Sequence, residues 1–238
     1  MLLPMPMPIA VLVSGSGSNL QSIIDRIEEG TLDAEIKLVV SNKAGAYGIE
    51  RAKKHGIPYK VLLHTDFKSR EAFDEAMVEA IHGAGVDESG AVIMAGFMRM
   101  VTPVFLGAFE NRVINIHPAL LPSFAGVHGQ GDAADYGVKI SGCTVHFVDE
   151  QMDHGPVIAQ AAVPCQAGED GDVLGPRILK MEHRIFPQAI QWLAEDRLVI
   201  EGRHVRLRVS GKKSAGQPRA DVEPNTYALV WPPLEEGF

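Results

Sequence analysis

The chain has 238 residues, of which 46% are hydrophobic and 22% charged, and a formal net charge of −8. Those proportions fit a soluble globular protein with one sizeable domain, alone or with an extension, and the acidic balance argues against a general nucleic-acid binder. Two cysteines, Cys143 and Cys165, have no metal or redox spacing, so no disulfide framework or zinc cluster is expected and a reduced, cytoplasmic setting fits.

The opening MLLPMPMP has no Lys or Arg and is broken by prolines, unlike a secretory signal. Residues 1–8 therefore read as a leader. Ile9 to Val13 is a wholly apolar run, suited to a strand buried on both faces. A helix is expected from Ser18 to Glu29, a second strand from Ile36 to Val40, and a helix from Ala46 to His55 that ends at Gly56. Tyr59 to Leu62 reads as a third strand and Ser69 to His82 as an amphipathic helix. Ala91–Ala95 and Val113–Ile116 are two more buried strands. Strands alternating with helices predict a doubly wound α/β fold with a mostly parallel, open sheet.

The pattern changes after Gly137. Ser141–Val148 and Val157–Val163 are strands with a short connection, which suits an antiparallel addition. A long helix is expected from Asp172 to Glu195, bent at Pro187, and Leu198 to Leu207 reads as a hairpin. One domain over 9–208 is expected, with residues 209–238 an irregular tail that could dock through Tyr227 to Trp231. No apolar run is long enough to span a membrane.

Three regions carry chemistry. Ser14-Gly15-Ser16-Gly17-Ser18-Asn19-Leu20 links the first strand to the first helix. Its glycines let amides approach a ligand, and the helix start favours an anion. Ser18 and Gln21 have the spacing of a capping box. Leu20, and Ser41-Asn42-Lys43 after the second strand, do not fit a dinucleotide fingerprint. With no Gly-Lys-Ser/Thr tail, a phosphomonoester is the better expectation.

The second region is Asn115-Ile116-His117-Pro118-Ala119-Leu120-Leu121-Pro122. On a strand, Asn115 and His117 share a face. A carboxamide beside an imidazole suits stabilising an oxyanion and handling one proton. The third region is Met152-Asp153-His154-Gly155-Pro156. Its Asp could orient the ring or could simply satisfy its own turn.

The Asn-Ile-His-Pro-x-Leu-Leu-Pro run resembles the signature of folate-dependent formyltransferases, and the likeness extends from about Ile9 to about Leu198. The first loop and Glu182 resemble the branch that acts on glycinamide ribonucleotide. The resemblance implies formyl transfer from 10-formyltetrahydrofolate to the amine of 5-phosphoribosylglycinamide, in purine biosynthesis, with no metal. Asn115, His117 and Asp153 are then catalytic. Gly17, Ser18 and Asn19 hold the substrate phosphate, and Glu182 meets its amine. Folate lies against Arg70, Met98, Arg99, Met100, Val101, Asn115, Asp149, Glu150, Gln151, Met152 and Asp153, although Arg70 also reads as a solvated cation at a helix start. His128 and His146 support the site from behind. The other histidines show no metal spacing.

The partners implied are small molecules, with no nucleic acid and no membrane, acting on a monomer or homodimer. Two other readings stay open: a formyltetrahydrofolate deformylase or another folate-dependent formyltransferase, and a non-catalytic folate- or phosphate-binding module. One departure from the family pattern stands out. Ser123 to Asp132 has extra glycines, which predict a loosened loop over 126–132.

Overall fold

In the computed structural model residues 5–208 and 229–238 are described. Its first strands form where apolar runs can be buried on both faces. β1 (Met7–Val13) lies between β2 (Ala34–Ser41) and β4 (Ala91–Met94), with β3 (Tyr59–Val61) beyond β2 and β5 (Val113–His117) beyond β4, and all these pairings are parallel. Ala10, Leu12, Leu38, Val40, Val92, Met94 and Val113 line one face. They pack against Phe73, Met77 and Ile81 of α3 (Arg70–Gly83) and Phe105 of α4 (Pro103–Ala108). The alternate residues, including Ile9, Val11, Val13, Val39 and Ile93, are equally buried, as are Leu20 and Ile23 of α1 (Ser18–Glu28) and Ile49 and Ala52 of α2 (Tyr47–Lys54). Helix α3 starts where Ser69 accepts a 3.1 Å hydrogen bond from the Ala72 amide, a side-chain cap.

By internal contacts the chain forms two compact units. The first is Met1–Asn115 with Phe147–Gln151, and the second is Ile116–His146 with Met152–Phe238. In the second, β6 (Ile140–Phe147) pairs antiparallel with β7 (Val157–Pro164), and β8 (Leu198–Glu201) with β9 (His204–Leu207). β9 meets β7 in parallel sense at Val157 and His204. α6 (Gly171–Ala194) starts at Asp170, whose carboxylate accepts 3.0 Å bonds from the amides of Asp172 and Val173. It buries Ile178, Met181, Ile185, Phe186, Ile190 and Trp192.

Four expectations need correction. Met7 and Pro8, read as leader, belong to β1, where Met7 pairs with Ala34. The tail, read as irregular with a docking stretch at Tyr227 to Trp231, does pair at β10 (Leu229–Trp231), antiparallel on β7, and its order extends further than expected. Beyond it, Gln188 Nε2 donates to the Pro233 carbonyl at 3.2 Å and Gln188 Oε1 accepts from the Glu235 amide at 2.6 Å. The buried Arg197 pairs with the Glu235 carboxylate at 2.8 Å. A buried carboxamide and a buried cation thus need this segment, a demand that composition does not show. Residues 209–228 lie outside the described residues.

The third correction is α5 (Gly129–Tyr136), a helix in the run read as a loosened loop. Its glycines serve close approach. A side chain at Gly171 would place its Cβ 2.9 Å from Gly131 Cα, and one at Gly129 would place it 3.1 Å from His117 Nε2. The fourth is the Ser18/Gln21 capping box. Gly17 is the N-cap, with φ 66°, and no side chain caps this helix.

Candidate active site

In the first unit the β1–α1 loop turns through Gly17 in the left-handed region, where a residue with a side chain is strained. Among the described residues the amides of Ser16, Gly17 and Ser18 have no oxygen acceptor, which leaves them available to an anion. Ser14 stitches this loop to the next region. Its hydroxyl donates to Asn42 Oδ1 at 2.6 Å and accepts from the Met98 amide at 2.8 Å. The bridge between Ser14 and Asn42 was not legible in the sequence, because a buried hydroxyl contact has no local pattern.

The segment after β4 is gripped by α3. Arg70 donates to the Met100 carbonyl at 3.1 Å, Arg99 lies 5.2 Å from the Phe73 ring centroid, and Asp74 accepts from the Thr102 amide at 2.5 Å. Burial raises the Asp74 carboxyl above its ordinary value, against its hydrogen bonds to Thr102 and the nearby Arg70 and Arg99 charges. Met98 is 56% exposed and Met100 is partly so, whereas Val101 packs into the core. Asp149 accepts from the Gln151 amide at 3.0 Å and closes a turn whose tip residues Glu150 and Gln151 are exposed.

In the second unit His117 ends β5, and Pro118 then stops the ladder. The ring is buried. Its Nδ1 lies 3.4 Å from Asp153 Oδ2, and its Nε2 lies 2.8 Å from the Phe124 carbonyl. A carbonyl only accepts, so Nε2 carries a hydrogen in this arrangement. Asp153 has φ 49°, a conformation Asp tolerates better than most residues. Its Oδ2 accepts from the Gly126 amide at 2.8 Å, and its Oδ1 lies 3.8 Å from His146 Nε2. Asp153, His117 and His146 therefore converge. Asn115 precedes His117 by two residues on β5 and is half-buried.

His128 is not brought into this cluster; it is exposed at the N-cap position of α5. Glu182 is buried on α6. The Cys143 thiol is pushed well above its ordinary value by burial first and by the Glu182 charge second. The backbone groups of Phe124 and Gly126, which fix the His–Asp pair, escaped the sequence reading because a main-chain contact has no residue-type signal. Among the described residues no cluster of His, Cys, Asp and Glu is placed to hold a metal, and no helix is long and apolar enough to cross a membrane.

Residues 7–190 match the formyl transferase family. The chain belongs to that family. This formyltransferase-family chain is 43% identical, over 185 residues, to phosphoribosylglycinamide formyltransferase of Escherichia coli (strain K12), a match covering 78% of the chain and 86% of that protein. It is 48% identical over 187 residues to the trifunctional purine biosynthetic protein adenosine-3 of Drosophila pseudoobscura pseudoobscura. That match covers 78% of the chain but only 14% of the trifunctional protein. Among solved structures, glycinamide ribonucleotide transformylase 1 from Symbiobacterium toebii superimposes with a TM-score of 0.84 at 47% identity, covering 87% of this chain and 96% of that one. The family's mostly parallel open α/β sheet is the fold the sequence predicted.

Proposed function

We propose that this formyltransferase-family chain transfers the formyl group of 10-formyltetrahydrofolate to the amine of 5-phosphoribosylglycinamide, a step of purine biosynthesis. The observation that carries the reading is the buried His117 ring at the end of β5, 3.4 Å from the half-buried Asp153 carboxylate. The amine nitrogen attacks the formyl carbon and forms a tetrahedral adduct. Asn115 and His117 stabilise its oxyanion. Asp153 holds the charge on the ring. The bond from carbon to the folate nitrogen breaks, the formyl group stays on the amine, and the amine's proton passes through water to the departing nitrogen.

The remaining roles follow the same reading. Gly17, Ser18 and Asn19 receive the ribose phosphate through their amides, and Glu182 orients the amine. Arg70, Met98, Arg99, Met100, Val101 and residues 149–153 contact the folate, with His146 steadying Asp153 and His128 a more distant support. The working form is a monomer or homodimer in the cytoplasm, and the reaction uses no metal.

Absorbance of the deformylated folate tests this directly. It should rise only when 5-phosphoribosylglycinamide is present. A rise without the amine would make the chain a hydrolase, and no change in either case would leave a binding module.

A further inference from the structure

The carbonyl side of the β1–α1 loop is taken up by α2. The Gly48 amide donates to the Gly15 carbonyl at 3.0 Å, and Arg51 Nε donates to the Ser16 carbonyl at 2.9 Å. The next amides, of Ser16, Gly17 and Ser18, have no acceptor among the described residues. A short loop whose successive carbonyls are tied back presents its amides on the opposite side, the arrangement that receives an anion. The fit of helix to loop is close. A Cβ at Gly17 would lie 2.6 Å from Gly48 Cα, and a Cβ at Gly48 would lie 3.0 Å from Val13 Cγ2. Two facing glycines are thus what lets α2 reach the loop's carbonyls.

Arg51 is itself held in place. Its Nη1 donates to Gln21 Oε1 at 3.0 Å, and its guanidinium carbon lies 5.0 Å from the Tyr47 ring centroid. Gln21 Nε2 in turn donates to Asp25 Oδ1 at 2.8 Å and lies 3.1 Å from His55 Nε2. One guanidinium therefore joins the loop, α1 and α2. A planar fork can make these bonds together, whereas an ammonium on a flexible stem holds one of them at a time.

We propose that Arg51 is a positioning residue for the phosphate end of the substrate. By gripping the Ser16 carbonyl it fixes the direction of the loop amides, and Gly48 completes the same grip one residue earlier. The proposal rests on the ribonucleotide reading above and adds a residue outside the loop that the sequence pattern did not single out.

The test uses the full chain with Arg51→Met, Arg51→Lys and Gln21→Ala, and inorganic phosphate as the calorimetric probe. In Arg51→Met the phosphate Kd and the KM for 5-phosphoribosylglycinamide should both rise about tenfold, while the KM for 10-formyltetrahydrofolate moves by less than about twofold. Arg51→Lys should recover part of the loss. Gln21→Ala should cost less than Arg51→Met alone and add little in its background, because both act through one contact. Unchanged phosphate affinity in Arg51→Met, or equal loss of both substrates, would overturn the proposal. A wild-type chain that binds phosphate but transfers no formyl group would sink the functional reading, and the calorimetric comparison would still decide Arg51. A wild-type chain that transfers formyl without measurable phosphate affinity would overturn the Arg51 assignment and spare the reaction.

Discussion

The β1–α1 loop and the His117–Asp153 cluster are built on opposite plans. In the loop the groups proposed to work are backbone amides, and the side chains proposed to matter are either missing, at Gly17 and Gly48, or stand behind the loop, at Arg51. In the cluster the groups proposed to work are side chains, and backbone holds them. The Phe124 carbonyl meets the ring and the Gly126 amide meets the carboxylate. The contrast separates what substitutions should do. Changes at the loop should weaken capture of one substrate, and changes at the cluster should slow the chemical step with both substrates still bound.

The largest effect should come from the cluster. His117→Ala removes the donor and the ring together, and kcat should fall on the order of a thousandfold or more. Asp153→Asn keeps the shape and removes the charge, so turnover should fall on the order of a hundredfold while equilibrium folate binding changes little. Loss of folate binding in step with turnover would erase the contrast between the two regions.

Gly17→Val tests the other plan. It forces a branched side chain to φ 66° and drives a Cβ to 2.6 Å from Gly48 Cα. The KM for the ribonucleotide should rise on the order of thirtyfold, with a much smaller change for folate. Equal loss of both ligands in a folded variant would argue against an anion site.

Gly129→Ala sharpens the comparison at the cluster's edge. Its Cβ would sit 3.1 Å from His117 Nε2, so the ring must give by a few tenths of an ångström. A fall in kcat of about tenfold, at nearly unchanged thermal stability, is expected. An unchanged kcat would mean that the ring's position tolerates this crowding.

The smallest effect belongs to neither region and serves as a control. Arg177, hydrogen-bonded to Glu169, holds that carboxyl at about 2, below its ordinary 4.5. A carboxyl depressed by folding stabilises the native state above its unfolded-state value, and that contribution is lost as pH falls towards about 2. Glu169→Gln should cost about 1 kcal/mol near neutral pH, measured by denaturant unfolding, with the gap from wild type closing below pH 4.5 and turnover unaffected. A gap that stays constant with pH would assign the effect to packing.

The sequence made the sheet and the placement of Asn115 and His117 legible for different reasons. Apolar runs such as Ile9–Val13 and Ala91–Met94 announce buried strands without any knowledge of their neighbours. Asn115 and His117 are legible because strand periodicity alone puts them on one face. Asp153 needed the family likeness, since an Asp before His-Gly-Pro is locally only a turn. Short helices stayed hidden. α4 has six residues, and the glycines of α5 read as looseness when their role is closeness to His117 and Gly171. The contacts of Pro233 and Glu235 were equally hidden, because their partners Gln188 and Arg197 are brought to them only by the folded chain.

The central claim is direct transfer at the His117–Asp153 cluster, and label tracing tests it most directly. The chain is incubated with 10-formyltetrahydrofolate carrying ¹³C in the formyl group, with and without 5-phosphoribosylglycinamide, and the carbon is followed by NMR. The account predicts that the label moves into the formyl amide of the ribonucleotide, only when the amine is present and with none passing through free formate. Label accumulating as formate, or moving at an undiminished rate in His117→Ala, would contradict it.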